Sequence, residues 1–198
     1  MKIPYGLSYF KTVIDEQYVY VDKSAFIRSL EEHGRHHILL RPRRFGKSLF
    51  LSMLWHYYDI NFKQEFETLF GHLDIGKNPT PSHNSYQVLF LEFSGIVTNH
   101  HDRTYQGFND SVETALLSFF RRYHYPESYS ESLHQHQAPE AKLKHFLMLT
   151  EQSSIYLLID EYDHFANALM ADDLDHFRTI MGKGGFVRVS WDEATTLI

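Results

Sequence analysis

The chain has no cysteine. That absence excludes disulfides, thiolate nucleophiles and cysteine-based zinc sites together, and it fits a reducing compartment. No apolar run approaches the roughly 18 residues needed to cross a bilayer. The opening Met1-Lys2-Ile3-Pro4-Tyr5 lacks the apolar core of a signal peptide. A soluble, cytoplasmic protein without a membrane partner is expected. Positive charge is not in excess either: 19 Lys and Arg against 25 Asp and Glu leave a formal net charge of -6, so any affinity for nucleic acid must be local. No internal repeat is found. Low complexity is confined to Tyr125 to Gln137, rich in Ser, His, Glu and Gln, which reads as an exposed connection. What is present in quantity is apolar and aromatic, 43% and 16% of 198 residues, enough for a substantial core.

Alternating and apolar runs mark strands at Tyr18 to Val21, His37 to Leu40, Val88 to Phe93 and Ile155 to Ile159, the last being the most apolar. Helical patterns lie between them. Asp22 or Ser24 is placed to cap a helix over Ala25 to Glu32, with Gly34 to end it. Lys47 to Tyr58 repeats apolar residues at Leu49, Met53, Leu54 and Tyr57, a helical spacing that begins directly after a glycine. Gly76 to Ser85, with two prolines and Asn84, reads as a loop. Helices are expected again over Phe108 to Tyr123 and Ala138 to Leu149, and most of Tyr162 to Met181 also looks helical. Strands alternating with helices predict an α/β layer fold with a mainly parallel sheet.

Residues 41 to 50, RPRRFGKSLF, carry Gly46-Lys47-Ser48 between an expected strand and an expected helix. In such a turn, backbone N–H groups and the positive end of the helix converge on phosphate oxygens. Gly46 lets the backbone come close, Lys47 reaches β- and γ-phosphates, and the Ser48 hydroxyl ligates Mg²⁺, the roles these residues have in G-x-x-x-x-G-K-[ST]. Arg44, Phe45, Gly46, Lys47, Ser48 and Leu49 are the candidate nucleotide-binding residues. Arg41 stands where that motif has its first glycine, so a basic strand-to-helix turn without a ligand is the competing reading.

In SSIYLLIDEYD, residues 153 to 163, five apolar residues run into Asp160 and Glu161. Two carboxylates at the end of a buried strand are costly unless a cation waits there. For an ATPase, that cation is Mg²⁺. Asp160 then joins Ser48 as a metal residue, and Glu161 is the candidate catalytic base that orients the attacking water. The competing reading is a strand that ends in solvated acids.

A wider set of segments accompanies these two: IPYGLSYF from residue 3, YVYVDKSAFI at 18 to 27, LLRPRRFGKSLFLSML at 39 to 54, LFGHLDIGKNP at 69 to 79, FLEFSGI at 90 to 96 and LLIDEYDHFAN at 157 to 167. With them the chain resembles the AAA-ATPase-like family of bacteria and archaea, P-loop ATPases that often carry a PD-(D/E)XK nuclease-like domain after the ATPase part. In that family RPRRFGKS is the usual form of the loop, so Arg41 is no private defect. The resemblance implies ATP and Mg²⁺ as ligands and a P-loop three-layer sandwich. It also implies a strand between the P-loop and Asp160 strands, ending in a polar sensor residue. After Glu161 only the tail FVRVSWDEATTLI remains to supply it, with Val187 to Ser190 as a short candidate. The expected organisation is therefore residues 1–34 as an N-terminal segment, 35–188 as a partial ATPase core and 189–198 as a divergent tail, in a truncated, frameshifted or fragmentary family member. ATP binding with weak or absent hydrolysis is the expected activity.

Two other functions are compatible with the sequence. Arg41, Arg43 and Arg44, extended by Arg121 and Arg122, make a candidate nucleic-acid grip. A remnant without activity is the other. Phe119, Phe120, Tyr123 and Tyr125 surround the second arginine pair, but at helical spacing aromatics belong to a core. His36-His37, His100-His101 and His134-x-His136 are read as surface histidines, because adjacent residues on a strand face opposite ways. Asp163 is read as a helix cap, and Asp22-Lys23-Ser24 either as a cap or as part of an adenine seat.

Overall fold

The computed structural model describes residues 2–34, 36–40, 42, 44–97 and 100–162, with positions 166, 167, 170, 175 and 178. The chain divides into two compact units, Met1–Val88 and Leu89–Ile198.

The regular elements of the first unit, apart from the first residues of a strand at its end, are helical: α1 (Phe10–Asp15), α2 (Phe26–Glu32), α3 (Lys47–Tyr58), a 3-10 segment Ile60–Glu65, α4 (Phe66–Phe70) and α5 (Asp74–Lys77). The apolar period of α3 does what its spacing predicts. Met53, Leu54 and Tyr57 are buried, and Leu49 is half-buried at the helix start. Aromatic rings fill the space between α1, α3 and α4: Phe10 stacks on Phe70 at 5.1 Å, and Tyr57 meets Phe70 edge-on at 5.4 Å. Ser52 of α3 accepts the N–H of Phe10 at 2.9 Å, satisfying a donor at the start of α1. The far end of α3 is closed just as carefully. Asn84, at φ 47°, donates its amide to Asp59 O at 2.7 Å and its backbone N–H to Tyr57 O at 2.8 Å, occupying carbonyls that the helix itself leaves open.

The second unit contains most of β1 (Gln87–Glu92), then α6 (His101–Arg122), α7 (Glu127–Leu133), α8 (Pro139–Leu149) and β2 (Ile155–Asp160). β1 and β2 pair in parallel as a two-stranded sheet, which makes the protein α/β. One continuous core joins the inner residues of both strands to α6, α7 and α8, with Phe93 stacked on Phe108 at 5.0 Å and Phe119 edge-on to Phe146 at 4.9 Å. Lys142 is 3% exposed within this unit. Its ammonium donates to Asn109 Oδ1 at 2.9 Å and pairs with Glu113, whose other carboxylate oxygen meets His134 Nδ1 at 2.7 Å. The Lys142 bond holds the Glu113 carboxyl below its ordinary value, against the opposing effect of burial.

Several expectations need correction. Tyr18 to Val21 is not a strand: Tyr18 makes one isolated parallel bridge to Lys2, and Val21 is 71% exposed. His37 to Leu40 takes no regular structure, with Ile38 and Leu40 87% and 82% exposed. Apolar alternation makes a strand only where a neighbouring strand supplies hydrogen bonds. Tyr125 to Gln137 is more than a connection, since it holds α7, and Leu133 lies in the core. The helix expected from Phe108 begins a full two turns earlier, at His101. The helix expected from Tyr162 is seen at the described positions 162, 166, 167, 170, 175 and 178. Asp163 and Val187 to Ser190 lie outside the described residues.

Candidate nucleotide-binding site

The loop into α3 is built by two left-handed residues. Arg44 has φ 65° and Gly46, the N-cap of α3, has φ 76° and ψ 28°. A glycine takes that conformation without a steric penalty, and it turns the chain directly into the helix. The first helical bond runs from Phe50 N–H to Gly46 O at 2.9 Å. The N–H groups before it belong to the turn that leaves its donors outside the helical ladder. Lys47 and Ser48 are half-buried in this first turn, no acidic side chain shares it, and Phe45 is 61% exposed beside it. Arg44, Phe45, Gly46, Lys47, Ser48 and Leu49 are thus brought together by one loop and one helix start. Arg41 and Arg43 lie outside the described residues. A shallow cleft of about 710 Å³ in the same unit is lined by Ile14, Gln17, Tyr18, Tyr20 and His72 among others, and none of the loop residues lines it.

Asp160 and Glu161 close β2 in the second unit. Asp160 is 7% exposed, its backbone carbonyl accepts from Phe93 N–H at 3.3 Å, and its Oδ1 accepts from Glu161 N–H at 2.9 Å. Glu161 sits at φ 58°, a left-handed conformation uncommon for a residue with a side chain. The chain therefore turns sharply at the strand end, with a buried carboxylate followed by a half-buried one.

No group of three or more His, Asp or Glu that could hold a metal occurs among the described residues. Ser48 lies in the first turn of α3 and Asp160 at the end of β2, each an oxygen donor of the kind that Mg²⁺ takes beside water and phosphate oxygens. Of the candidate histidines, His36, His37, His100 and His101 are exposed, while His134 is paired with Glu113 and His136 lies against His145 with ring centroids 4.5 Å apart. Arg121 and Arg122 occupy the last turn of α6, where positive charge offsets the helix dipole. Phe119 and Phe120 are 1% exposed and belong to the core.

Sequence reasoning missed a cluster that joins two of the segments quoted above. Asp22 is not the N-cap of α2, which begins after Ala25 without a side-chain cap. Instead Asp22 Oδ1 accepts from Ser24 N–H and Oδ2 from Asp74 N–H, both at 2.8 Å, while Ser24 Oγ accepts from Ile75 N–H at 3.1 Å. Burial alone would raise the Asp22 carboxyl, but these hydrogen bonds outweigh it and hold it below its ordinary value. Arg28 closes the clamp from α2, reaching Asp74 Oδ2 at 2.6 Å and Asn78 O at 3.0 Å. Gly76 is required here because a Cβ would lie 1.9 Å from Phe70 O. The clue in the sequence was the pairing of DKS with LDIGKN, but the two stand some fifty positions apart, beyond any local pattern. With Asp22 and Ser24 occupied in this way, the clamp accounts for them without an adenine seat.

The chain is thus α/β, with a glycine turn feeding Lys47 and Ser48 into α3 and with β2 running into Asp160 and Glu161. The family model described as "Predicted AAA-ATPase" matches residues 4–192, so the chain belongs to the AAA-ATPase-like family. The match runs past residue 188, the expected end of the ATPase core, to residue 192. The chain is also similar, at 50% identity over 54 residues, to an "Uncharacterized protein in vnfD 5'region" from Azotobacter chroococcum mcd 1. That similarity covers 27% of this chain and 10% of the relative, so the chain spans only a small part of that protein's length. No solved structure matches.

Proposed function

We propose that this chain is the ATP-binding P-loop part of an AAA-ATPase-like protein, with residues 35–188 as its core between an N-terminal segment 1–34 and a tail 189–198. The sheet that goes with this reading is that of a P-loop three-layer sandwich. Arg44 to Leu49 cradle the phosphates through their backbone, and Lys47 takes the β/γ charge. Ser48 and Asp160 hold Mg²⁺, and Glu161 orients water. Mg²⁺, when bound, would neutralise charge on the transferring phosphoryl group. The observation that carries the reading is the left-handed Gly46 at the N-cap of α3, which places Lys47 and Ser48 in an acid-free first turn. The family membership supports it.

Titration calorimetry with Mg²⁺ and a non-hydrolysable ATP analogue is the test. Removing a charged hydrogen-bond donor costs about 1.5–3 kcal/mol, so Lys47→Ala should weaken binding by roughly 10- to 100-fold. Equal affinity of wild type and Lys47→Ala would overturn the assignment. Binding, with slow or no turnover, is the activity assigned. Phosphate release by wild type should match that of Glu161→Gln, and Mg²⁺-dependent turnover abolished by that substitution would overturn the second half of the reading.

A further inference from the structure

One titratable side chain of the first unit is buried with half of its hydrogen-bonding capacity unused. His56, on α3, is wholly buried. Its Nδ1 lies 2.6 Å from Ser52 O, one turn back on the same helix. A carbonyl only accepts, so Nδ1 carries the proton and Nε2 presents a bare lone pair. Among the described residues nothing bonds to Nε2. Around the ring stand Tyr9 and Phe10 at the start of α1, Trp55 of α3 and Phe62 of the 3-10 segment, with ring centroids at 4.9, 5.8, 5.8 and 4.2 Å. His56 therefore fills the seam between three elements, all inside one compact unit.

This packing suits the neutral ring alone. A second proton, on Nε2, would bury a cation whose new N–H has no acceptor, and the neighbouring rings offer it π faces but no lone pair. Burial is the strongest influence on the imidazole, ahead of the Ser52 carbonyl, and holds it below its ordinary value of 6.5. Lys11 of α1, itself paired with Asp15 and Glu65, acts in the same direction. Asp59 and Glu65 favour the proton, but Asp59 is engaged by Trp55 Nε1 and Asn61 N–H, and Glu65 by Lys11. Ser52 ties the ring to α1 as well, because its Oγ accepts the Phe10 N–H. We propose that His56 is an acid-sensitive latch between α1 and α3: protonation at Nε2 turns the ring out to water and frees Phe10–Asp15 from α3. The latch rests on packing and is independent of nucleotide binding. Because the closed-state value lies below 6.5, the contact is fully stable above that pH. Beneath it the opening constant rises by up to about tenfold per pH unit until the closed-state value is reached.

The test is native-state amide exchange by NMR on the whole chain, corrected for the intrinsic rate, at about pH 7.5 and about pH 5.5. Protection of the Val13 amide, which bonds Tyr9 O within α1, should fall at least about fivefold at the lower pH. Protection of Asp74 and Ile75, held in the same unit by Asp22 and Ser24, should change by less than about twofold. In His56→Phe, which keeps a ring in the seam but takes no proton, Val13 protection should be independent of pH. Equal losses at Val13, Asp74 and Ile75 would mean that the unit opens as a whole and would overturn the latch. So would pH-independent protection of Val13 in the wild type, or an undiminished loss in His56→Phe. If that variant does not fold, the wild-type ring decides. Its ¹⁵N shifts should show a bare Nε2 at the higher pH and a midpoint below 6.5, and a proton on Nε2 there, or a midpoint at or above that value, would overturn the proposal.

Discussion

The two units treat similar sequence patterns in opposite ways. In the second unit, two apolar runs became β1 and β2, paired with each other and covered by α6, α7 and α8 in one core. In the first, two runs of comparable alternation became a single bridged residue and an unstructured segment. Val19, Val21, Ile38 and Leu40 are left exposed there, in a unit whose buried residues come mainly from helices. A strand is a relation between segments. Side-chain alternation supplies the preference, but a strand forms only when a partner takes up its backbone groups.

The largest expected effect tests the core that β1 and β2 share. Phe146 is fully buried against Phe119 and Phe120, so Phe146→Ala should destabilise by about 4 kcal/mol, as large-to-small changes in aromatic cores do. Chemical denaturation followed by circular dichroism checks this. A loss under about 1 kcal/mol would show that the second unit is less well packed than its geometry indicates.

A somewhat smaller effect is expected from the buried ion pair of the same unit. Lys142→Ala strands Glu113 and should cost about 3 kcal/mol, whereas Lys142→Met with Glu113→Leu should recover most of it. The pH dependence has a definite sign. Because the folded-state value of Glu113 is lowered, its contribution is fully present above its ordinary value of 4.5 and is lost as pH falls through the lower folded value. Glu113→Gln should therefore flatten the acid limb of the stability profile, and an unchanged limb below that pH would contradict it.

In the first unit, the clamp offers a test of similar kind but smaller size. A Cβ on Gly76 collides with the Phe70 carbonyl, so Gly76→Ala should cost about 2 kcal/mol, in the range of overpacking. Amide exchange at Asp74 and Ile75, whose N–H groups Asp22 and Ser24 hold, should quicken in that variant. The smallest effect belongs to the exposed run. Ile38→Ala should change stability by less than about 0.5 kcal/mol. A larger loss would mean that residues 36–40 already have a partner in solution, and the contrast between the units would shrink.

Much of this protein was legible in order along the chain. The α3 helix was read with its bounds, because Leu49, Met53, Leu54 and Tyr57 declare their period within a dozen residues and Gly46 punctuates its start. β1, β2 and α8 were read to within a residue or so for the same reason. The candidate loop Arg44 to Leu49 and the pair Asp160-Glu161 are each contiguous in the sequence, and they stand at the start of α3 and at the end of β2. Local pattern reports local preference, and these features ask for nothing more.

Tertiary structure decided everything that depends on a second segment. It turned Asp22 and Ser24 from helix caps into a clamp on α5, since a capping side chain bonds whichever backbone donors are nearest in space. It buried Lys142 on Asn109 and Glu113, which no composition argument foresees. It set Leu133 of α7 into the core where the sequence reads as a polar connection. It also left Ile38 and Leu40 exposed, although their pattern is that of a strand. Hydrogen bonds and burial are satisfied between elements, so the sequence by itself determined which elements this chain can form, and packing decided which of them found partners.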